Sequence, residues 1–192
     1  MNLAKILVFI AIFTLSARAA TALSVYGDGP MNQNKLWTIS AETGYQVGFY
    51  ENRHDNPEWR LIFYAFTPDH LGDWNIVFTS RGWDNHETDL ALGEYLGATR
   101  FGSFDAPSLD ITGNGRGESD PIGRFLIREL VWNTDKTPQK VAIDFYSMGT
   151  TTGYQTHGSL RYNSDIPLSP VPEPGTVALL TLPLLGLVRR RR

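Results

Sequence analysis

The chain contains no cysteine among its 192 residues, which excludes disulfides, thiolate metal sites and cysteine nucleophiles together. Charge is also scarce, at 19% of residues, and histidine occurs only four times. No Gly-x-Ser-x-Gly elbow, P-loop or dinucleotide fingerprint occurs, so the common sequence marks of serine hydrolases, nucleotide-triphosphate enzymes and dehydrogenases are missing. Between the termini no helical period persists beyond about two turns. Neither apolar run, ten residues at 6–15 and thirteen at 176–188, reaches the roughly 18 to 20 residues of a lasting bilayer span.

What is present is uneven. Six of the 17 basic residues lie in the terminal segments, Lys5, Arg18, Arg189, Arg190, Arg191 and Arg192. The body from residue 23 to 170 holds 11 basic against 19 acidic residues, a balance of −8. An acidic body lacks the basic footprint that nucleic acid or anionic lipid requires. Hydrophobic content of 42% with 12% aromatics is enough to bury one core in a chain of this length.

Residues 1–22 read as a secretory signal peptide, with Lys5 as the positive region, the apolar run 6–15, and the small residues of Ala17-Arg18-Ala19 and Ala20-Thr21-Ala22. Cleavage is expected near residue 20. At the other end, Pro167, Pro170, Pro172 and Pro174 predict an extended linker over 167–175. The apolar run 176–188, broken by Pro183, follows as a short transmembrane segment. The arginines at 189–192 come last as a cytoplasmic stop, too costly to translocate.

This order resembles the PEP-CTERM sorting signal of Gram-negative bacteria, on Pro172, Glu173 and Pro174 for the motif and Arg189, Arg190, Arg191 and Arg192 for the basic cluster. The resemblance implies processing by a membrane-embedded exosortase, transient anchoring in the inner membrane, and delivery to the cell surface or extracellular matrix in company with polysaccharide.

Between the signals, an exported domain is expected over 23–166. Strands are predicted at 36–40, 45–50, 59–66, 74–80, 98–104, 108–112, 124–132, 139–146 and 159–162, with turn clusters between them. Alternation is clearest in 140–146, where Val141, Ile143 and Phe145 share one face and Ala142, Asp144 and Tyr146 the other. Residues 133–138 read as a hairpin turn, and residues 113–117 as a turn needing positive φ rather than a phosphate cradle. Many short strands predict an all-β domain, an antiparallel β-sandwich of jelly-roll type, flanked by a signal-peptide helix and a C-terminal transmembrane helix.

Residues 93–101, 108–117, 123–130, Ile143-Asp144-Phe145 and 158–164 resemble a β-sandwich module of exported bacterial proteins. In that module a cysteine commonly follows the Gly-Arg-Gly turn and a second follows the Asp-Phe strand. Glu118 and, roughly, Gly149 stand in those places here, as a lost disulfide would leave them.

His54, His70, His86 and His157 fall in turn-like segments without metal-ligand spacing and read as solvated loop histidines. Asp110-Ile111-Thr112-Gly113-Asn114-Gly115 begins like a calcium loop, but Pro121 stands where the bidentate glutamate belongs, which leaves only a looser set of Asp110, Asn114 and Asp120. No metal or cofactor is expected. The carboxylate pairs Asp84 with Glu87 and Asp55 with Glu58 are what 19 acids produce by chance. Among five tryptophans, Trp37, Trp59 and Trp74 belong to strand patterns, while Trp83 lies in a polar turn and is the candidate glycan contact. The expectation is a non-enzymatic surface protein with a structural or glycan-binding role; the alternative is a polysaccharide-acting hydrolase or a carbohydrate-binding module.

Overall fold

The computed structural model describes residues 21–50, 60–81, 88–102 and 105–170. The signal peptide up to residue 20, Trp59, Trp83, His54, His86, both carboxylate pairs, the Pro172-Glu173-Pro174 motif, the apolar tail and the four arginines lie outside the described residues.

Among the described residues eleven strands follow one another: β1 (Ala22–Gly27), β2 (Lys35–Ser40), β3 (Gln46–Phe49), β4 (Arg60–Phe66), β5 (Trp74–Thr79), β6 (Gly93–Thr99), β7 (Ser108–Gly113), β8 (Arg116–Gly117), β9 (Pro121–Trp132), β10 (Pro138–Gly149) and β11 (Gln155–Tyr162). The only helical piece among the described residues is a 3-10 turn, Ala41–Thr43, capped by Ser40. No helix of the described residues is long and apolar enough to cross a membrane.

All strands join one sheet in the order β2-β1-β11-β10-β9-β6-β7-β5-β4-β3, with β8 beside β7, and the sheet curls until it is nearly closed as a barrel. The all-β class is as expected, and the strands form one mixed sheet rather than the wholly antiparallel arrangement predicted. A single parallel pairing, Thr99 with Ser108, links β6 to β7 and makes the sheet continuous and mixed. That link is held by side chains: the Ser108 hydroxyl donates to the Arg100 carbonyl at 2.7 Å, and the Thr79 hydroxyl accepts the Ser108 N–H at 3.1 Å.

Period-two alternation explains how one sheet encloses one core. In β4 Leu61, Phe63 and Ala65 are buried while Arg60, Ile62, Tyr64 and Phe66 are half-exposed. Val141, Ile143 and Phe145 of β10 point inward as the pattern predicts. They belong to the same core as Leu23, Ile39, Trp74 and Phe125, brought from four other strands by curvature. Across the interior Phe78 of β5 meets Phe125 at 5.2 Å and Phe145 at 5.8 Å, both edge to face, and Trp37 lies 6.1 Å from Trp74. Each such ring contributes on the order of 1.5–3 kcal/mol by leaving water. The two edge strands do not pair with each other; Phe49 of β3 packs instead on Tyr162 of β11, 5.1 Å away.

Two hairpins follow expectation. Asn114 and Gly115 both have positive φ, 54° and 70°, in a two-residue turn between β7 and β8, which suits the twist of the flanking strands. Residues 133–137 close β9 onto β10, with Lys136 at φ 65°.

Candidate functional site

The strongest site on the domain comes from strand register rather than from any local motif. On the face of the sheet opposite the core, Arg124 of β9 lies across from Tyr146 of β10, Tyr146 across from His157 of β11, and His157 across from Tyr26 of β1. Glu94 of β6 faces Leu126, one step along β9. Glu94, Arg124, Leu126, Asp144, Tyr146 and His157 line an open groove of about 290 Å³, walled on one side by Ser169 and Pro170.

The wall is fastened by a polar clasp. Arg161 is only 2% exposed. Its Nη1 donates to the carbonyls of Ile143 and Leu160 at 3.2 and 2.8 Å, and its Nε is shared between those of Ile166 and Pro167 at 3.1 and 3.0 Å. Its Nη2 reaches Asp144 Oδ1 at 2.9 Å. Asp144 accepts three further bonds: from the Ser159 hydroxyl at 2.8 Å, from the Ser169 hydroxyl at 2.7 Å, and from Arg128 Nε. The Ser169 N–H closes the ring on Ser159 Oγ at 3.0 Å. Burial works against the Asp144 charge, yet the bonds from Arg128, Ser169, Ser159 and Arg161 outweigh it and hold its pKa below the usual carboxylate value. The clasp thus reaches Ser169, three residues beyond the expected domain end at 166.

Within the groove, the rings of Tyr146 and His157 lie 4.8 Å apart at 54°, and Arg124 Nη1 is 3.6 Å from Glu94 Oε1 with both side chains about half exposed. Burial, assisted by the positive charge of Arg124 and opposed by Asp28, lowers the His157 pKa. The imidazole is therefore neutral at pH 7, one nitrogen donating and the other accepting. The groove offers a phenol, a neutral imidazole, a guanidinium and a carboxylate beside two ring edges, a set that suits a ligand with alternating hydroxyl donors and acceptors.

His157 corrects the sequence reading: it lies in β11 and lines this groove, because β11 begins at Gln155, four residues before the predicted start. His70 is in a turn, as expected, with Nδ1 2.8 Å from Asp73. Trp74 is buried to 1% and Trp37 packs on the core, again as expected. The looser calcium set is not assembled: Asp110 Oδ1 sits 3.3 Å from Arg100 Nε, the Asn114 amide donates to the Met31 carbonyl, and Asp120 accepts from Thr150. Among the described residues no three acidic, histidine or cysteine side chains group as a metal site.

A second aromatic surface lies on the outer side of β3 and β4. Tyr64 stacks on Phe66 at 5.0 Å and 16°, Tyr50 lies 4.6 Å from Tyr64, and His70 flanks Phe66 at 5.8 Å. Tyr64 and Phe66 lie in the strand predicted at 59–66; nothing foretold the groove, whose members are scattered from 94 to 170.

No family model matches the chain, and no curated protein and no solved structure matches it either.

Proposed function

We propose that the chain is an exported cell-surface or extracellular-matrix protein, sorted by a C-terminal PEP-CTERM signal, released by an exosortase, and carrying a glycan-binding groove on a structural β-domain. The observation that carries this reading is the clasp. Arg161 and Asp144 fasten the chain as far as Ser169, and the Pro172-Glu173-Pro174 motif begins three residues later, after the exposed Pro170. The bonds of the clasp all lie before the sorting motif, so they remain when the tail is removed.

Two features support the sandwich-module resemblance, and with it export. Glu118 and Gly149, the positions where that module carries its cysteines, touch: a Cβ placed on Gly149 would lie 2.6 Å from the Glu118 carboxyl carbon. The sheet also brings β5 and β9 face to face through Phe78 and Phe125, as the two layers of a sandwich do.

Binding suits the groove better than hydrolysis. Glycosidases need one carboxyl that is protonated near neutral pH. Asp144 is held ionised with its oxygens occupied by four donors, and Glu94 is turned to Arg124.

Mass spectrometry of the protein released from exosortase-bearing cells tests the sorting. The mature chain is expected to end near residue 174, and Glu173→Ala to leave uncleaved precursor in the inner membrane. A released chain still ending in Arg192, or cytoplasmic accumulation of an unprocessed one, would sink that half. A glycan array read with wild type, Tyr146→Ala and Trp83→Ala tests the groove: loss with Tyr146→Ala alone is expected, and loss with Trp83→Ala alone moves the contact to the polar turn.

A further inference from the structure

The loops at one end of the barrel enclose a separate cavity of about 360 Å³, larger than the groove. Its walls come from the β1–β2 connection at Pro30, Met31 and Asn32, from Glu118 beyond β8, and from Tyr154 ahead of β11. Asn32 is the decisive residue. It is fully buried, its Nδ2 donates to Thr156 Oγ1 at 2.8 Å, and its Oδ1 has no hydrogen-bond partner. Leaving a buried acceptor unmatched costs about 1–3 kcal/mol, so a residue kept this way calls for a partner that the chain itself does not supply.

The position of that acceptor is fixed. The Asn32 N–H donates to the Gly29 carbonyl at 3.1 Å, and the Asn32 carbonyl accepts from the Lys35 N–H at 3.1 Å and from Trp37 Nε1 at 3.0 Å. Gly27 provides the room: a Cβ there would stand 2.4 Å from Asn32 Nδ2. The amide is therefore pre-organised, and little order has to be imposed on binding.

The chemistry of the walls narrows the ligand. A cation would find a single carboxylate, Glu118, with Arg116 in the same wall, and an anion would meet that carboxylate. Asn32 Oδ1 and Glu118 accept hydrogen bonds, while Arg116 and the hydroxyls of Ser119 and Thr152 can donate them, so the ligand must carry groups that both donate and accept, as hydroxyls do. Pro30, Met31 and the ring of Tyr154, 41% exposed, supply apolar surface for a ring face. The volume lies at the small end of the range for ligand pockets, about 300–1,000 Å³. We propose that this cavity binds a neutral polyhydroxylated ring the size of one sugar unit, one hydroxyl donating to Asn32 Oδ1 and another to Glu118, with the apolar ring face against Tyr154. This site is independent of the groove and of the sorting signal.

Isothermal titration of the full chain with glucose, galactose, mannose and myo-inositol tests it. At least one is expected to bind saturably, to weaken tenfold or more with Asn32→Ala and several-fold with Glu118→Gln, and to be unaffected by Tyr146→Ala. Glu118→Gln decides the matter should Asn32→Ala fail to fold, because Glu118 meets its neighbours from the cavity rim. Absence of saturable binding for all four ligands overturns the proposal. So does binding that Tyr146→Ala abolishes and Glu118→Gln leaves intact, which would assign the ligand to the groove.

Discussion

In two arginine–aspartate pairs of the barrel, Arg161 with Asp144 and Arg100 with Asp110, the carboxylates respond to burial in opposite ways. Asp144 keeps its charge more firmly than a carboxylate in water, whereas Asp110 has a raised pKa, with burial the largest cause and the nearby Arg100 only partly offsetting it. Distance to the arginine does not account for the contrast, since the two separations are 2.9 and 3.3 Å. The number of donors does. Asp144 accepts from two arginines and two serines, while the Arg100–Asp110 approach is close but lacks hydrogen-bond alignment, leaving both Arg100 Nε and Asp110 Oδ1 enclosed and unsatisfied. A buried carboxylate is thus stabilised by the count and direction of its donors more than by the presence of one opposite charge.

The sharpest way to break this contrast is to remove the hub of the satisfied pair. Arg161→Met takes one of the four donors from Asp144, leaving Arg128, Ser159 and Ser169, and removes the guanidinium that bonds four backbone carbonyls. A loss of about 3–5 kcal/mol in unfolding free energy is expected, read as a lower urea midpoint at unchanged slope. A loss below about 1 kcal/mol would mean the clasp is incidental to the fold.

Neutralising each aspartate in turn compares them directly. Asp144→Asn keeps the shape but replaces one acceptor oxygen with a donor that faces arginines and hydroxyls, and is expected to cost about 2–3 kcal/mol. Asp110→Asn relieves a carboxylate that burial already disfavours and should fall within about 1 kcal/mol of wild type. Equal losses in the two variants would refute the donor-count argument.

The same contrast shows what could be seen in the sequence. Alternation revealed the inward set Val141, Ile143 and Phe145, and the turn chemistry of Asn114-Gly115 and of residues 133–137, because each is decided by neighbours in the chain. Strand β1 is hidden because the signal-peptide reading ends at Ala22, where the strand begins, although Leu23 and Val25 are fully buried. The sequence predicts β6 five residues late: Gly93 opens the strand, Gly97 interrupts it and Leu96 is 62% exposed, so its amphipathic pattern is weak, and a register shift falls between Leu96 and Ala98. The groove and the clasp were beyond sequence reasoning for a different reason. Arg124, Tyr146 and His157 become neighbours only through the register of three strands, and Arg161 meets Asp144 from 17 residues away.

A smaller perturbation sharpens the role of the strap that walls the groove. Ser169→Ala removes a hydroxyl that donates to Asp144 and lies 3.4 Å from Arg161 Nη2, but leaves the backbone bond from Ser169 to Ser159 in place. Asp144 keeps three donors, so a loss of about 1 kcal/mol is expected, distributed to the strap as faster amide exchange at Ser169 without change in β10.

The smallest effect belongs to His157, a third buried group on the same face whose pKa is shifted, like that of Asp110, chiefly by burial. Because its folded pKa lies below the unfolded value of about 6.5, the unfolded chain binds the proton more readily, and stability must fall as pH drops from above 6.5 toward the folded pKa. Asp144 contributes nothing in that window: its pKa is below 3.8 when folded, so its stabilisation is lost only in stronger acid. Arg124, at a distance that disfavours the imidazolium, reinforces the drop, and Asp28 moderates it. Thermal melts at pH 7.5 and 5.5 should therefore show a lower melting temperature at pH 5.5 for wild type and a smaller difference for His157→Gln, which keeps a polar side chain in the groove without a titrating proton. Arg124→Gln should reduce the same difference partway, since it removes one of the two causes and leaves burial. Identical pH dependence in wild type and His157→Gln would show that His157 is solvated in both states, and would remove the neutral imidazole from the set of groups the groove offers to a hydroxylated ligand.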